Sequence, residues 1–201
     1  MFYEPIKGHG LPHNPSKAIV APRPIGWIST VSKAGAVNLA PYSFFNMLSD
    51  SPFLVWFSSE SQKDSAANAR ETGEFVVNLA SGRLAEKVVA TSVNAPHGVD
   101  EFDYAGLTHA PSRIVRPPRV AEAGAALECK VTDIMTPAGL GGRKSSAVVV
   151  TGEVVGVHID DALLTDGLFD AVKAGHLARL GYFDYLTVDK VFQMHRPRWK
   201  D

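Results

Sequence analysis

Two stretches of this chain carry residue types suited to one flat, phosphorylated ligand. The first is Ala40-Pro41-Tyr42-Ser43-Phe44-Phe45-Asn46, where small, hydroxyl and aromatic residues follow one another without a charge. Backbone groups, hydroxyls and aromatic faces together suit a planar, mostly apolar ring with a polar edge. The second is Ser58-Ser59-Glu60-Ser61-Gln62-Lys63-Asp64-Ser65, a hydroxyl-rich loop entering a helix expected over residues 64–71. The first amides of a helix lack internal partners and sit at the positive end of its dipole, so an anion docks there. Ser59, Ser61, Lys63 and Ser65 would supply hydroxyls and an ammonium at that end. The same residues also read as a plain surface helix capped by Asp64 or Ser65. The direction of the Asp64 carboxylate separates the two readings.

Other signals point nowhere. Gly139-Leu140-Gly141-Gly142-Arg143-Lys144-Ser145 has Arg where a phosphate loop needs Gly, and the strand-like Ala147-Val148-Val149-Val150 follows it instead of a helix. It reads as a hairpin loop. No G-x-G-x-x-G leads from a strand into a helix, and no G-x-S-x-G is present. The seven histidines form no H-E-x-x-H, and His9 and His13 lie in a Gly/Pro-rich segment, so no metal site is expected.

The elements that must position the two stretches read mainly as β. Strands are expected over residues 25–32 and 37–45, joined by a turn at Lys33-Ala34-Gly35 and preceded by breaks at Pro22 and Pro24. Phe53-Leu54-Val55-Trp56-Phe57 is a continuous apolar run that suits a strand buried on both faces. Residues 74–79 form another strand. Ser81 would cap a helix carrying Leu84, Val88 and Val89, and residues 92–119 read as irregular. Two long strands follow, over about residues 125–136 and 145–158. Segments at 160–172, 174–182 and 186–192 complete the chain. Strands without strict βα alternation indicate a small β-barrel with short helices in one domain over residues 1–201.

The bulk properties agree. With 201 residues, 45% of them hydrophobic, one substantial core is affordable, and a net charge of −1 argues against nucleic acid as partner. Apolar runs are too short for a membrane-spanning helix, and the first residues lack a basic-then-apolar signal pattern, so a cytoplasmic protein is expected. The single cysteine, Cys129, excludes an internal disulfide and sits in a strand as a buried thiol.

A ring-and-phosphate ligand on a small β-barrel suggests flavin mononucleotide. Pro22-Arg23-Pro24-Ile25-Gly26-Trp27-Ile28-Ser29-Thr30-Val31, then residues 38–46, Lys63-Asp64-Ser65 and Glu74-Phe75-Val76-Val77-Asn78 occur in order. Together they resemble the flavin reductase-like family, particularly its flavoredoxin-type branch, and the resemblance implies a domain core at about 16–190. The resemblance implies an FMN-binding split β-barrel, usually a homodimer with the flavin near the subunit interface. It implies NAD(P)H-dependent reduction of flavin, with NADH or NADPH as donor, or electron carriage on tightly bound FMN. By matching position, Ser29 and Thr30 lie beside the ring. Ala40, Pro41, Tyr42, Ser43 and Phe44 line it, and Ser59, Lys63 and Ser65 approach the phosphate. The segment from His176 through Arg179 to Tyr185 resembles the family's closing element. That makes His176 and Arg179 the catalytic candidates and adds Tyr185 to the cofactor contacts. An ordinary helix end is the competing reading for His176 and Arg179. An electron-accepting oxygenase or another redox protein is the expected recipient. Three alternatives stay open: an electron carrier, a non-redox ligand-binding barrel without flavin, and a reading in which Trp27, Tyr42, Phe44, Phe45 and Trp56 are simply barrel core.

Overall fold

The computed structural model describes residues 1–199. In chain order the strands are β1 Arg23–Pro24, β2 Gly26–Val31, β3 Val37–Tyr42, β4 Phe45–Asp50, β5 Phe53–Ser59, β6 Glu74–Leu79, β7 His109–Ala110, β8 Arg119–Val120, β9 Ala125–Met135, β10 Val148–Ile159, β11 Leu164–Thr165, β12 Leu168–Phe169, β13 Leu177–Arg179 and β14 Tyr185–Thr187. The α-helices are α1 Ser16–Ile19, α2 Asp64–Thr72, α3 Ala85–Ala90, α4 Glu101–Ala105 and α5 Ala171–Ala174.

Seven strands form one antiparallel sheet in the order β3-β2-β6-β9-β10-β5-β4. The sheet curls until its edges meet. Strand β3 turns into β4 through the Ser43-Phe44 corner, where the Ser58 N–H donates to the Phe44 carbonyl at 2.8 Å. The Tyr42 and Phe57 rings lie 5.0 Å apart across this seam. Closure by a chain corner instead of a full ladder makes the barrel a split one, as expected.

Strand β2 separates two apolar cores because successive side chains on a strand face opposite sides. Trp27 packs with Leu39, Leu84, Val88 and Phe102 on one side. Ile28 packs with Phe57, Phe75, Val150 and the α2 residues Ala66 and Ala69 inside the barrel. Full burial of each large apolar side chain contributes about 2–3 kcal/mol. At Gly26 the backbone runs so close to Phe45 that a Cβ would meet its ring at 2.6 Å, so β2 begins on a residue that has none. Cys129 is fully buried, and burial, aided by the neighbouring Glu128 charge, pushes its thiol up out of the reactive range.

The structure corrects several boundaries. The strand expected over 37–45 ends at Tyr42, and a further strand, β4, occupies Phe45–Asp50. Strand β5 is buried on one face only: Val55, Phe57 and Ser59 point inward while Trp56 is half-buried, since no layer covers its outer face. Ser81 does not cap a helix. It lies buried in a bridge to His176, and a 3-10 turn over Gly82–Leu84 leads into α3. The region 92–119 is not wholly irregular. Asp100 caps α4 by accepting from the Phe102 N–H, and β7 pairs with β8.

That region is fastened to the sheet by Glu128 of β9. Its carboxylate is fully buried and accepts from the backbone N–H groups of Arg113 at 2.7 Å, Ile114 at 2.6 Å and Val115 at 3.0 Å, with His158 Nε2 at 2.5 Å. Burial alone would raise its pKa, but these hydrogen bonds outweigh it and bring the carboxyl from 4.5 down to about 2. A folded pKa below the unfolded one means stability that is complete above about pH 4.5 and is lost as pH falls toward 2. Glu128→Gln turns one acceptor oxygen into a donor facing an amide. The expected cost is about 3 kcal/mol at neutral pH. Urea unfolding of both proteins across pH 2 to 7 checks it. The gap between them should narrow as the medium is acidified, and a constant gap would refute the assignment.

Candidate functional site

The entry to α2 is built as an open helix end. Lys63 occupies the cap position in extended conformation (φ −78°, ψ 170°), and no side chain caps the first amides. Those donors therefore remain available. Asp64 is not the cap. Its carboxylate lines the cavity beside the helix end but is held by His97 Nδ1 at 2.9 Å, and that hydrogen bond raises the His97 pKa. Lys63 Nζ stands 3.4 Å from Asn94 Oδ1.

The wall facing this end is β3 and the corner after it. Three adjoining cavities of about 240, 170 and 650 Å³ form one groove, with Pro41 lining all of them. Ala40, Tyr42, Lys63 and Ser65 line the first; Tyr42, Ser43, Phe44, Ser59 and Lys63 line the second. Ser43, Arg179 and Tyr185 line the largest, where the Arg179 guanidinium lies 4.3 Å from the Tyr185 ring centroid. The two sequence stretches are thus brought together. Burial raises the Tyr42 pKa and keeps its phenol protonated. The Ser59 Oγ is buried without a hydrogen-bond partner, an orphan polar atom on the groove wall.

Five candidates sit differently from expectation. Ser29 and Thr30 are fully buried beneath the groove and do not line it. Ser29 Oγ donates to the Pro118 carbonyl at 2.5 Å, and Thr30 Oγ1 accepts from Asn68 Nδ2 at 3.1 Å. Both hydroxyls serve the protein because β2 is an interior strand covered on both faces. Ser65 is also buried, and its hydroxyl donates to Asn38 Oδ1 at 2.6 Å, so toward the groove it offers chiefly its backbone N–H. His176 is separated from Arg179. Helix α5 ends at Ala174 with Gly175 as its left-handed cap, so His176 directly follows a helix end, while Arg179 closes the extended β13 and faces the other way. His176 lines a separate apolar cavity with Ala178, and burial lowers its pKa, leaving it neutral. Ser61 does not line the groove; it lies exposed in the loop before α2.

Sequence reasoning assigned no role to Asn38, Asn68 and Glu101. Asn38 receives Ser65 on Oδ1, stands 3.4 Å from the Thr30 hydroxyl, and donates through Nδ2 to Glu101 Oε2 at 2.9 Å. Glu101 also accepts from the Leu39 N–H at 2.9 Å. Burial raises the Glu101 pKa, partly opposed by these hydrogen bonds. The period-2 pattern Asn38, Ala40, Tyr42 marks Asn38 as sharing their strand face.

Residues 20–178 match the flavin reductase like domain. An uncharacterized protein of Halalkalibacterium halodurans is 38% identical over 183 residues, covering 89% of this chain and 87% of its own. Nitrilotriacetate monooxygenase component B from Bacillus cereus superposes with a TM-score of 0.83 at 27% identity, over 93% of this chain and 100% of the other. Flavoredoxin of Desulfovibrio vulgaris (Miyazaki F) superposes with a TM-score of 0.78 at 19% identity, over 92% and 97% of the two chains, a likeness of fold.

Asn38→Leu keeps the volume but strips Glu101 and Ser65 of their partner. A loss of about 2–4 kcal/mol is expected in urea unfolding. Glu101→Gln in the same background should recover part of it, since the stranded charge is then gone. An unchanged urea midpoint for Asn38→Leu would show that the network contributes nothing.

Proposed function

The chain belongs to the flavin reductase-like family, and from that premise we propose that it is a flavoprotein oxidoreductase binding FMN in the groove under Pro41 and reducing it with NADH or NADPH. The observation that carries this reading is the uncapped α2 end opening into the groove lined by Ala40, Pro41, Tyr42, Ser43 and Phe44. Residues present fit the cofactor: free amides and Lys63 for a phosphate, an uncharged aromatic and hydroxyl surface for a ring, and the orphan Ser59 hydroxyl for a polar substituent. Bound there, FMN would supply the redox chemistry, as acceptor of hydride from a nicotinamide and donor of electrons.

The protein's part is position and electrostatics. Lys63 and the first α2 amides hold the phosphate end. The segment from Ala40 to Phe44 would fix the ring, and Arg179 with Tyr185 would close the groove beyond it. Arg179 would there offer positive charge to a ring that gains negative charge on reduction. His176, in its apolar cavity, takes no part in this arrangement. Of the carboxylates lining the groove, Glu101 is tied to Asn38 and Leu39, Asp64 to His97, and Glu60 is exposed to solvent 3.9 Å from Lys17.

The recipient of the electrons is, in this reading, a partner oxygenase or another redox protein. The likeness to a monooxygenase component B supports that. We further propose a homodimer working in the cytoplasm. An apolar cavity of about 510 Å³, lined by Pro22, Phe45, Leu127, Val157 and Phe169, leaves a face suited to a second copy. No helix among the described residues is long and apolar enough to cross a membrane.

Purified protein mixed with FMN and gel-filtered should keep flavin bands that NADH or NADPH bleaches. Retained bands that neither coenzyme bleaches would favour the electron carrier, and a colourless protein would favour a barrel without flavin. Ser43→Trp fills the corner and should abolish FMN retention with an unchanged circular dichroism spectrum. Unchanged FMN affinity would remove the corner from the site. Light scattering should give the mass of two chains, and the mass of one would end the dimer proposal.

A further inference from the structure

The largest cavity of the groove, about 650 Å³, is lined by His13, Lys17, Arg23 and Arg179, and by no Asp or Glu among the described residues. Arg23 is only 7% exposed. Its terminal nitrogens donate to the carbonyls of Lys17, Val20 and Leu180, and its buried Nε has no partner. Arg179 donates to the Tyr182 carbonyl. Neither guanidinium forms an ion pair among the described residues. Burial lowers the Arg23 pKa, and repulsion from Arg179 lowers it further. Two like charges are therefore held together, one of them desolvated, with neutral carbonyls and the Phe44 and Tyr185 rings for company and no carboxylate paired to either. A buried charge without a counter-ion is costly, and proteins keep that arrangement where an anion completes it.

The remaining wall says what the anion is attached to. Tyr182, Phe183 and Tyr185 line the same cavity, and Phe183 is 91% exposed. Tyr182 has φ 53°, left-handed backbone that a bulky residue rarely adopts. That turn, closed by the Asp184 N–H donating to the Gly181 carbonyl at 3.0 Å, places aromatic rings beside the guanidiniums. Pro41 and Ser43, which line this cavity, also line the ring site.

We propose that this cavity is a binding site for a planar aromatic carboxylate, its carboxylate on Arg179 and Lys17 in the field of Arg23 and its ring between the tyrosines and the Pro41-Ser43 edge. A guanidinium fork matches a carboxylate in two parallel hydrogen bonds, and its plane stacks on aromatic rings. The ligand's place beside the flavin rests on the proposed function; the anion site itself does not.

Calorimetric titration with benzoate, on the protein with and without added FMN, tests this. Benzoate is expected to bind in both states. Benzamide, equal in shape but neutral, should bind about tenfold or more weakly. Arg179→Gln should cost about tenfold or more in benzoate affinity, Arg179→Lys less, and the exposed Lys17→Gln should also weaken it. Benzoate and benzamide binding alike, no benzoate binding in either state, or full affinity in the glutamine variants would overturn the proposal. Methylenediphosphonate binding more tightly than benzoate would also overturn it, reassigning the guanidinium pair to a dinucleotide's phosphates. Flavin retention, read separately by absorbance after gel filtration, distinguishes failure of this site from failure of the FMN reading.

Discussion

The buried side-chain amide of Asn38 fixes the distance between the two walls of the groove. Its oxygen takes the Ser65 hydroxyl from α2, and its nitrogen reaches Glu101 of α4, while its backbone belongs to β3. Apolar packing alone would bring a helix against a strand without setting register, because the hydrophobic effect has no direction. Hydrogen bonds do have direction. With Asn38 engaged at both ends, the first turn of α2 can neither rotate nor slide along β3 without stranding a buried polar group. The cost is a desolvated carboxylate at Glu101, visible in its raised pKa. The return is a helix end that faces the strand at one fixed offset.

Glu128 repeats the device on the far side of the barrel. Both glutamates spend their oxygens on backbone N–H groups, Leu39 for one and Arg113, Ile114 and Val115 for the other. In each case the carboxylate anchors a segment whose backbone would otherwise face the interior unpaired. The segment 111–120 in turn covers β2, where Ser29 donates to Pro118 and Asn78 accepts from the Val120 N–H at 2.8 Å. Polar residues in the middle of β2 are thus tolerated because irregular chain is brought down to meet them. The carboxylates serve architecture, and the chemistry of the groove falls to backbone, hydroxyl, aromatic and cationic groups.

Much of this was legible in the residues. Alternation and turn chemistry located β2, β6, β9 and β10, and the uncharged segment from Ala40 to Phe44 stood out because nothing else in the chain combines small, hydroxyl and aromatic residues so densely. The opening of α2 was legible as a helix start, but not its anion-ready state, since that depends on His97, thirty-three positions away, capturing Asp64. Ser29 and Thr30 read as ligand contacts because a hydroxyl on a strand looks the same whether it faces a cavity or another element. The split between His176 and Arg179 follows from α5 ending at Gly175 and the extended β13 beginning at Leu177, a change of conformation that so short a stretch of pattern could not settle. The Ser43-Phe44 corner was missed for a related reason: β4 continues in similar residues, and only the curl of the sheet requires a break there.

The groove also sorts its charge. At the α2 end Lys63 shares the wall with Asp64 and Glu101, so local net charge does not favour an anion, and what does is a set of directed amides at a helix start. At the other end Lys17 stands 3.9 Å from Glu60, but Arg23 and Arg179 form no ion pair among the described residues, and the attraction is charge itself, carried by planar guanidiniums. Convergent amides suit a tetrahedral, multiply charged group, whereas a planar fork suits a planar carboxylate. The two ends therefore prefer different anions while sharing Pro41 and Ser43 between them. A chain of net charge −1 can in this way draw two anionic ligands into one groove, each to its own end, because the charge that matters is local and partly desolvated rather than summed over the surface.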